Sequence, residues 1–146
     1  MASQTKLNNY LLLSSKLGNN EDVQSYIDKG ADVRFLKSVC LRIAAMEGHL
    51  STVQLLIKHG ADLHGDDDAA LREAVLKKRD DVVSYLLDMG ADFKSLEKDQ
   101  QKKYKHLTIE FKNAAKVAEA EKKRNEKDDQ RRSKQRRLRN YIRRPH

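Results

Sequence analysis

The sequence predicts an all-α fold, a short helical solenoid continued by a long C-terminal helix and an Arg-rich arm. Two observations carry that prediction. Gly30-Ala31-Asp32 recurs as Gly60-Ala61-Asp62 and as Gly90-Ala91-Asp92. The columns Leu11, Leu41, Leu71; Val23, Val53, Val83; Ile27, Ile57, Leu87; and Ser14, Ala44, Ala74 keep the same thirty-residue register. A fixed period of that size marks stacked supersecondary units, none of which buries its apolar face alone. Past Phe93 the register stops, because Asn113 stands where a fourth unit needs an apolar residue. No Pro or Gly then occurs between Ala91 and Arg144, as one long helix requires.

The repeat body occupies residues 1–95, with units in register at about 11–40, 41–70 and 71–100. The middle unit shows the design most clearly. Its first helix carries Leu41, Ile43, Ala44 and Ala45 and stops near Gly48, which can take a left-handed conformation. Its second helix starts near Ser51 or Thr52, either of them a suitable N-cap, and shows Val53, Leu56 and Ile57 at i, i+3, i+4. Gly60-Ala61-Asp62 closes that helix. A polar, solvated connector, His64 to Asp68, follows, with Asp68 capping the next helix. The third unit repeats the pattern with Leu71, Ala74, Val75, Val82, Val83, Leu86 and Leu87. In the looser first unit the stripe falls to Leu13, Leu17, Val23, Tyr26 and Ile27. Cys40, without a partner cysteine, reads as a small buried side chain.

Leu41-Arg42-Ile43-Ala44-Ala45-Met46-Glu47-Gly48-His49-Leu50 and Val53-Gln54-Leu55-Leu56-Ile57-Lys58-His59-Gly60-Ala61-Asp62 resemble the two helices of the ankyrin repeat. The resemblance covers about residues 10–95, and the units are similar to the abbreviated ones of ankyrin-repeat proteins in giant DNA viruses and some protists. It implies a scaffold that binds proteins. Three departures bear on how. The family's usual period is longer by three residues, so the connectors Val33–Cys40 and Leu63–Ala70 are too short for a full β-hairpin finger. The threonine-proline helix start is also absent, and Arg42 and Arg72 replace a histidine. Contacts are therefore expected on the concave face of the first helices, at Arg42, Met46, Glu47, Arg72, Lys77 and Lys78. The alternative for each is an ordinary solvated position.

Several function classes find no support in the residues. There is no Gly-rich phosphate loop, nucleophile elbow or CxxC pair. His49 and His59 occupy positions the repeat explains, His64 adds no ordered ligand spacing, and Asp66-Asp67-Asp68 lacks the glycine and alternation of a calcium loop. No catalysis, metal or cofactor is expected. No apolar run approaches the roughly 20 residues of a membrane span, and Met1 to Asn9 lacks a secretory core. The expectation is an intracellular chain, cytoplasmic with the nucleus left open.

The charge is divided. Residues 1–95 hold 12 Lys/Arg and 14 Asp/Glu, a net −2, whereas residues 96–146 hold 18 and 8, a net +10. Over 96–120 Tyr104, Leu107, Phe111, Ala114 or Ala115, and Ala118 fall at heptad-like spacing, with Ile109 and Val117 beside them. That stripe suits a cap on the last unit or, alternatively, a surface for a partner helix. The region 121–146 is charged and then Arg-rich. Beyond Gln130 there are eight cations and no acid: Arg131, Arg132, Lys134, Arg136, Arg137, Arg139, Arg143 and Arg144, with Tyr141 among them. Arg over Lys suits bidentate contact with phosphate, and the tyrosine ring offers stacking.

The expectation is a non-enzymatic adaptor. Its repeat face holds one or more proteins, and its arm, disordered until bound, engages nucleic acid, RNA favoured over DNA. The alternatives are an arm that docks on an acidic surface, an arm that serves as a nuclear-import signal, and a structural subunit of a large assembly such as a ribosome, another ribonucleoprotein or a virion core.

Overall fold

The computed structural model describes residues 3–143, the side chains of 109–111 excepted. Three helix pairs follow one another: α1 (Gln4–Leu17) with α2 (Asn20–Asp28), α3 (Phe35–Glu47) with α4 (Leu50–Lys58), and α5 (Gly65–Leu76) with α6 (Asp80–Asp88). A short 3-10 turn (Phe93–Ser95) leads into α7 (Lys98–Ile142), and no strand occurs among the described residues. The all-α expectation holds. The chain divides into two units, Met1–Thr108 and Ile109–His146.

The recurring Gly-Ala-Asp is explained position by position. Gly30, Gly60 and Gly90 have φ of 97°, 92° and 102°, a region in which only glycine is unstrained. The left-handed turn lets the N–H groups of Ala31, Ala61 and Ala91 donate to the carbonyls of Tyr26, Leu56 and Leu86, satisfying groups left open at the helix ends. Each aspartate then accepts from the N–H two residues on, that of Arg34, His64 or Lys94. Its own N–H donates back to the start of the pair's first helix, to Asn8 Oδ1 (2.8 Å), Ser38 Oγ (2.8 Å) and Asp68 Oδ1 (3.0 Å). Asn8, Ser38 and Asp68 form a buried polar column on the same thirty-residue register.

The connectors differ from the expectation. Leu36-Lys37-Ser38 and Asp66-Asp67-Asp68 each form a left-handed turn, with φ between 46° and 63°. Asp68 is neither solvated nor a cap of its own helix. It is buried, and it accepts from Asp92 N–H and pairs with His64 Nδ1 at 2.9 Å. Left-handed backbone costs an L-residue roughly 1–2 kcal/mol. The turn persists because it carries Ser38 and Asp68 inward, where their hydrogen bonds close the unit. Ser51 and Thr52 are not N-caps either: α4 starts after His49, and buried Thr52 donates instead to Asn20 Oδ1 of the preceding unit (2.6 Å).

The core runs along the leucine and valine columns, with Leu11, Val23, Leu41, Val53, Leu56, Leu71, Val83 and Leu86 all essentially inaccessible. Leu13 and Leu17 do not belong to it; they are 55% and 67% exposed. In α1 the buried residues are Asn8, Leu11, Ser14 and Ser15, which places residues 13 and 17 on the opposite side of a 3.6-residue turn.

Cys40 is buried, as expected, and burial pushes its thiol up to about 11. An unfolded chain releases that proton near pH 9 while the native state keeps it, so stability falls as pH rises through this window. At pH 10.5 the loss from Cys40 is about 2 kcal/mol, at 1.36 kcal/mol per pKa unit. Urea midpoints at pH 8 and 10.5 should therefore differ less for Cys40→Ala than for the wild type.

The turn between the two helices of a unit also has its register. Gly18 and Gly48 have φ of 70° and 82°, and the third unit places Lys78 there at φ 56°. A Cβ on Gly18 would meet the His49 ring at 2.7 Å, and one on Gly48 would meet Arg79 Cδ at 2.8 Å. Each glycine thus lies under a side chain of the following unit. Lys78, in the last unit, is exposed and escapes that limit, but it still carries the left-handed strain. Lys78→Gly is expected to stabilise the stack by about 0.5–1 kcal/mol, read as a higher urea midpoint at unchanged m-value.

The last unit is covered from the C-terminal side. Leu96 and Tyr104 are buried in the core cluster, and Leu107 packs against it. The Tyr104 hydroxyl donates to the Asp80 carboxylate at the start of α6. Burial, and then that hydrogen bond, hold its phenol above the usual tyrosine value.

Candidate functional site

The first helices α1, α3 and α5 bury the columns at Leu11/Leu41/Leu71 and Ser14/Ala44/Ala74, which leaves their opposite rows free for contact. Arg42, Met46 and Glu47 are half-buried there; Arg72, Lys77 and Lys78 are exposed. Arg42 and Arg72 are brought together around Asp66. Arg42 Nη1 lies 3.5 Å from its Oδ2, Arg72 Nη2 donates to its carbonyl at 3.1 Å, and Lys37 Nζ stands 3.6 Å from its Oδ1. Met46 contributes its carbonyl to Arg79 Nε (3.2 Å), while Lys77 and Lys78 sit more than a turn beyond Arg72.

The same rows carry large exposed apolar side chains that sequence reasoning left out of the site, Leu13, Leu17 and Leu76 (64% exposed), and Leu36 (68%) is exposed in the left-handed turn at the start of α3. A signal for the helical ones was present. The columns Leu11/Leu41/Leu71 and Val23/Val53/Val83, which pack inside, keep one character in all three units. The columns Leu13/Ile43/Glu73, Lys16/Met46/Leu76 and Leu17/Glu47/Lys77 mix apolar and charged residues, as a solvent-facing row does. Lys37, Asp66 and Leu36 had no such signal, because they depend on the left-handed turns.

The basic segment is helical, not the disordered arm expected. α7 continues through Ile142, and Arg143 N–H still donates to the Arg139 carbonyl. Strong helix formers fill it, and the i, i+4 pair Lys123–Glu119 (2.8 Å) supports the part before Gln130. Arg131, Arg132, Lys134, Arg136, Arg137, Arg139, Tyr141 and Arg143 are all exposed, and Arg144 lies outside the described residues. Of the apolar stripe, Tyr104 and Leu107 pack on the stack, whereas Ala114, Ala115, Val117 and Ala118 are exposed.

Three helix pairs on one thirty-residue register agree with the family comparison, in which the model described as Ankyrin repeats (3 copies) matches residues 11–96. The chain belongs to the ankyrin-repeat family. A comparison with curated proteins finds no match. Ankyrin repeats mediate binding to other proteins and are typically not enzymes. In this ankyrin stack the histidines work inside the scaffold: His49 Nε2 meets the Lys16 carbonyl at 2.9 Å and His59 Nε2 meets Gln24 Oε1 at 3.0 Å, both across a unit boundary. No helix among the described residues is long and apolar enough to cross a membrane.

Proposed function

We propose that this ankyrin-repeat protein is an adaptor, with the first-helix face holding a partner protein and the basic end of α7 engaging RNA. The observation that carries the reading is the presence of two exposed surfaces of different chemistry on one chain. One is a row of leucines and half-buried side chains flanked by Arg42, Arg72, Lys77 and Lys78. The other is an acid-free run of cations beyond Gln130. Exposed leucines on a binding scaffold favour a protein partner, since apolar area removed from water drives association. Arginines without neighbouring carboxylates favour phosphate, which takes their N–H groups in pairs.

The test is retention on RNA by the full chain and by a chain ending at Gln130. Neutralising about six phosphates gives a slope of log affinity against log salt of about −4 to −5. The truncated chain should lose that binding while the thermal unfolding of the repeat stack stays the same. Salt-independent retention, or equal retention by both chains, would rule out the arm as the RNA contact.

A further inference from the structure

Resting on the RNA reading above, we infer that the basic end of α7 recognises the phosphate backbone of double-stranded RNA through one face, formed by Arg132, Arg136, Arg139 and Arg143. At i, i+4, i+7 and i+11 these four fall within about 60° of one another around a helix of 3.6 residues per turn. With a rise of 1.5 Å per residue they form a row about 16 Å long. All four are exposed, and among the described residues none has a carboxylate within ion-pair distance. The other cations, Arg131, Lys134 and Arg137, lie on other sides of the helix, as does Tyr141.

This arrangement has a cost that points to a ligand. Arg132/Arg136, Arg136/Arg139 and Arg139/Arg143 are like-charge pairs at i, i+4 or i, i+3, each of which weakens a helix by about 0.2–0.5 kcal/mol. A polyanion along the row removes that repulsion and gains charge-assisted hydrogen bonds from each guanidinium. A row of this kind along one helix matches a rod-like duplex, whose recognition rests on shape and phosphate contacts. A flexible single strand is held chiefly by aromatic stacking, and Tyr141 is the one ring in 131–143, away from the row. A lipid surface needs an apolar face. Leu138 and Ile142 share theirs with Arg124, Arg131 and Gln135.

The experiment compares two charge-matched variants of the full chain. In one, Arg132→Gln, Arg136→Gln, Arg139→Gln and Arg143→Gln clear the row; in the other, Arg124→Gln, Arg131→Gln, Lys134→Gln and Arg137→Gln remove four cations elsewhere. Binding to a 20-bp RNA duplex, to a single strand of the same length and to vesicles containing phosphatidylserine is measured by fluorescence anisotropy or cosedimentation, with helicity followed at 222 nm. Clearing the row should weaken duplex binding by about 30-fold or more, against about five-fold or less for the other set, because only the row makes bidentate contacts. The duplex should also raise the helicity of the wild type and not that of the cleared variant. Equal losses in the two variants, or tighter binding to the single strand, would overturn the inference and leave RNA binding standing. Binding to vesicles alone, or to none of the three, would overturn both.

Discussion

Leu41→Ala is expected to cost the repeat stack about 3–4 kcal/mol, whereas Leu13→Ala stays within about 0.5 kcal/mol of the wild type. Both are leucines on first helices, and both stand among the apolar residues of the repeat pattern. Leu41, however, is 1% exposed in the middle unit, with the core continuing on either side through Val53, Leu56 and Leu71. Truncation there removes the transfer free energy of the lost methyl groups and leaves a space that flanking helices cannot fully close. Leu13 faces water and leaves no cavity. At roughly 4–8 °C per kcal/mol for a domain of this size, the Tm of Leu41→Ala falls by about 15–25 °C. Unfolding followed by circular dichroism separates the two substitutions. A Leu13→Ala variant as damaged as Leu41→Ala would place residue 13 back in the core.

Gly65→Ala is the second large effect, and its cause is proximity alone. The φ of Gly65 is not in the left-handed range, but a Cβ there would stand 2.3 Å from the Lys37 carbonyl oxygen and 3.5 Å from Ser38 Cβ. The obstacle is backbone, so relief requires the connector of one unit to move away from that of the next. The expected cost is about 2–3 kcal/mol, the range of an overpacked core. Gly60→Ala supplies the opposite case. Nothing lies within 4 Å of its Cβ position, and only the φ of 92° opposes alanine, at about 1 kcal/mol. Denaturant midpoints for the two variants distinguish a steric limit between units from a conformational one within a unit.

These pairs also show how far the sequence could be read. Helix pairs and most core columns were legible because each unit writes the same pattern at the same place, as buried Leu11, Leu41 and Leu71 and buried Val23, Val53 and Val83 bear out, whereas the helix starts were not. Side-chain hydrogen bonds between helices leave no mark in the apolar pattern. Thr52 looks like an N-cap until Asn20 of the preceding unit takes its hydroxyl, and Asp68 looks like a solvated connector until the backbone turns it inward to Asp92. Leu13 and Leu17 resemble core residues because first-helix leucines usually are. Of the candidate first-helix surface, the solvent-facing position of Arg72, Lys77 and Lys78 was legible in the sequence. Its leucines required the columns to be compared across units, and the cluster of Lys37, Arg42 and Arg72 around Asp66 required the left-handed turn. In the basic segment the cations are read directly from composition, while the continuous helix is what sorts them around its faces.

The closing bond of each unit, donated by the aspartate N–H to Asn8, Ser38 or Asp68 24 residues earlier, has a kinetic consequence. Among the described residues no side-chain hydrogen bond joins positions more than 35 apart, the reach of His59 to Gln24. Loops of that length close at little entropic cost, and low contact order goes with folding in microseconds to milliseconds. Translation at about 5–20 residues per second is far slower. From the second unit on, each unit therefore meets its side-chain partners in the stretch just synthesised, and stacking is expected to begin during translation.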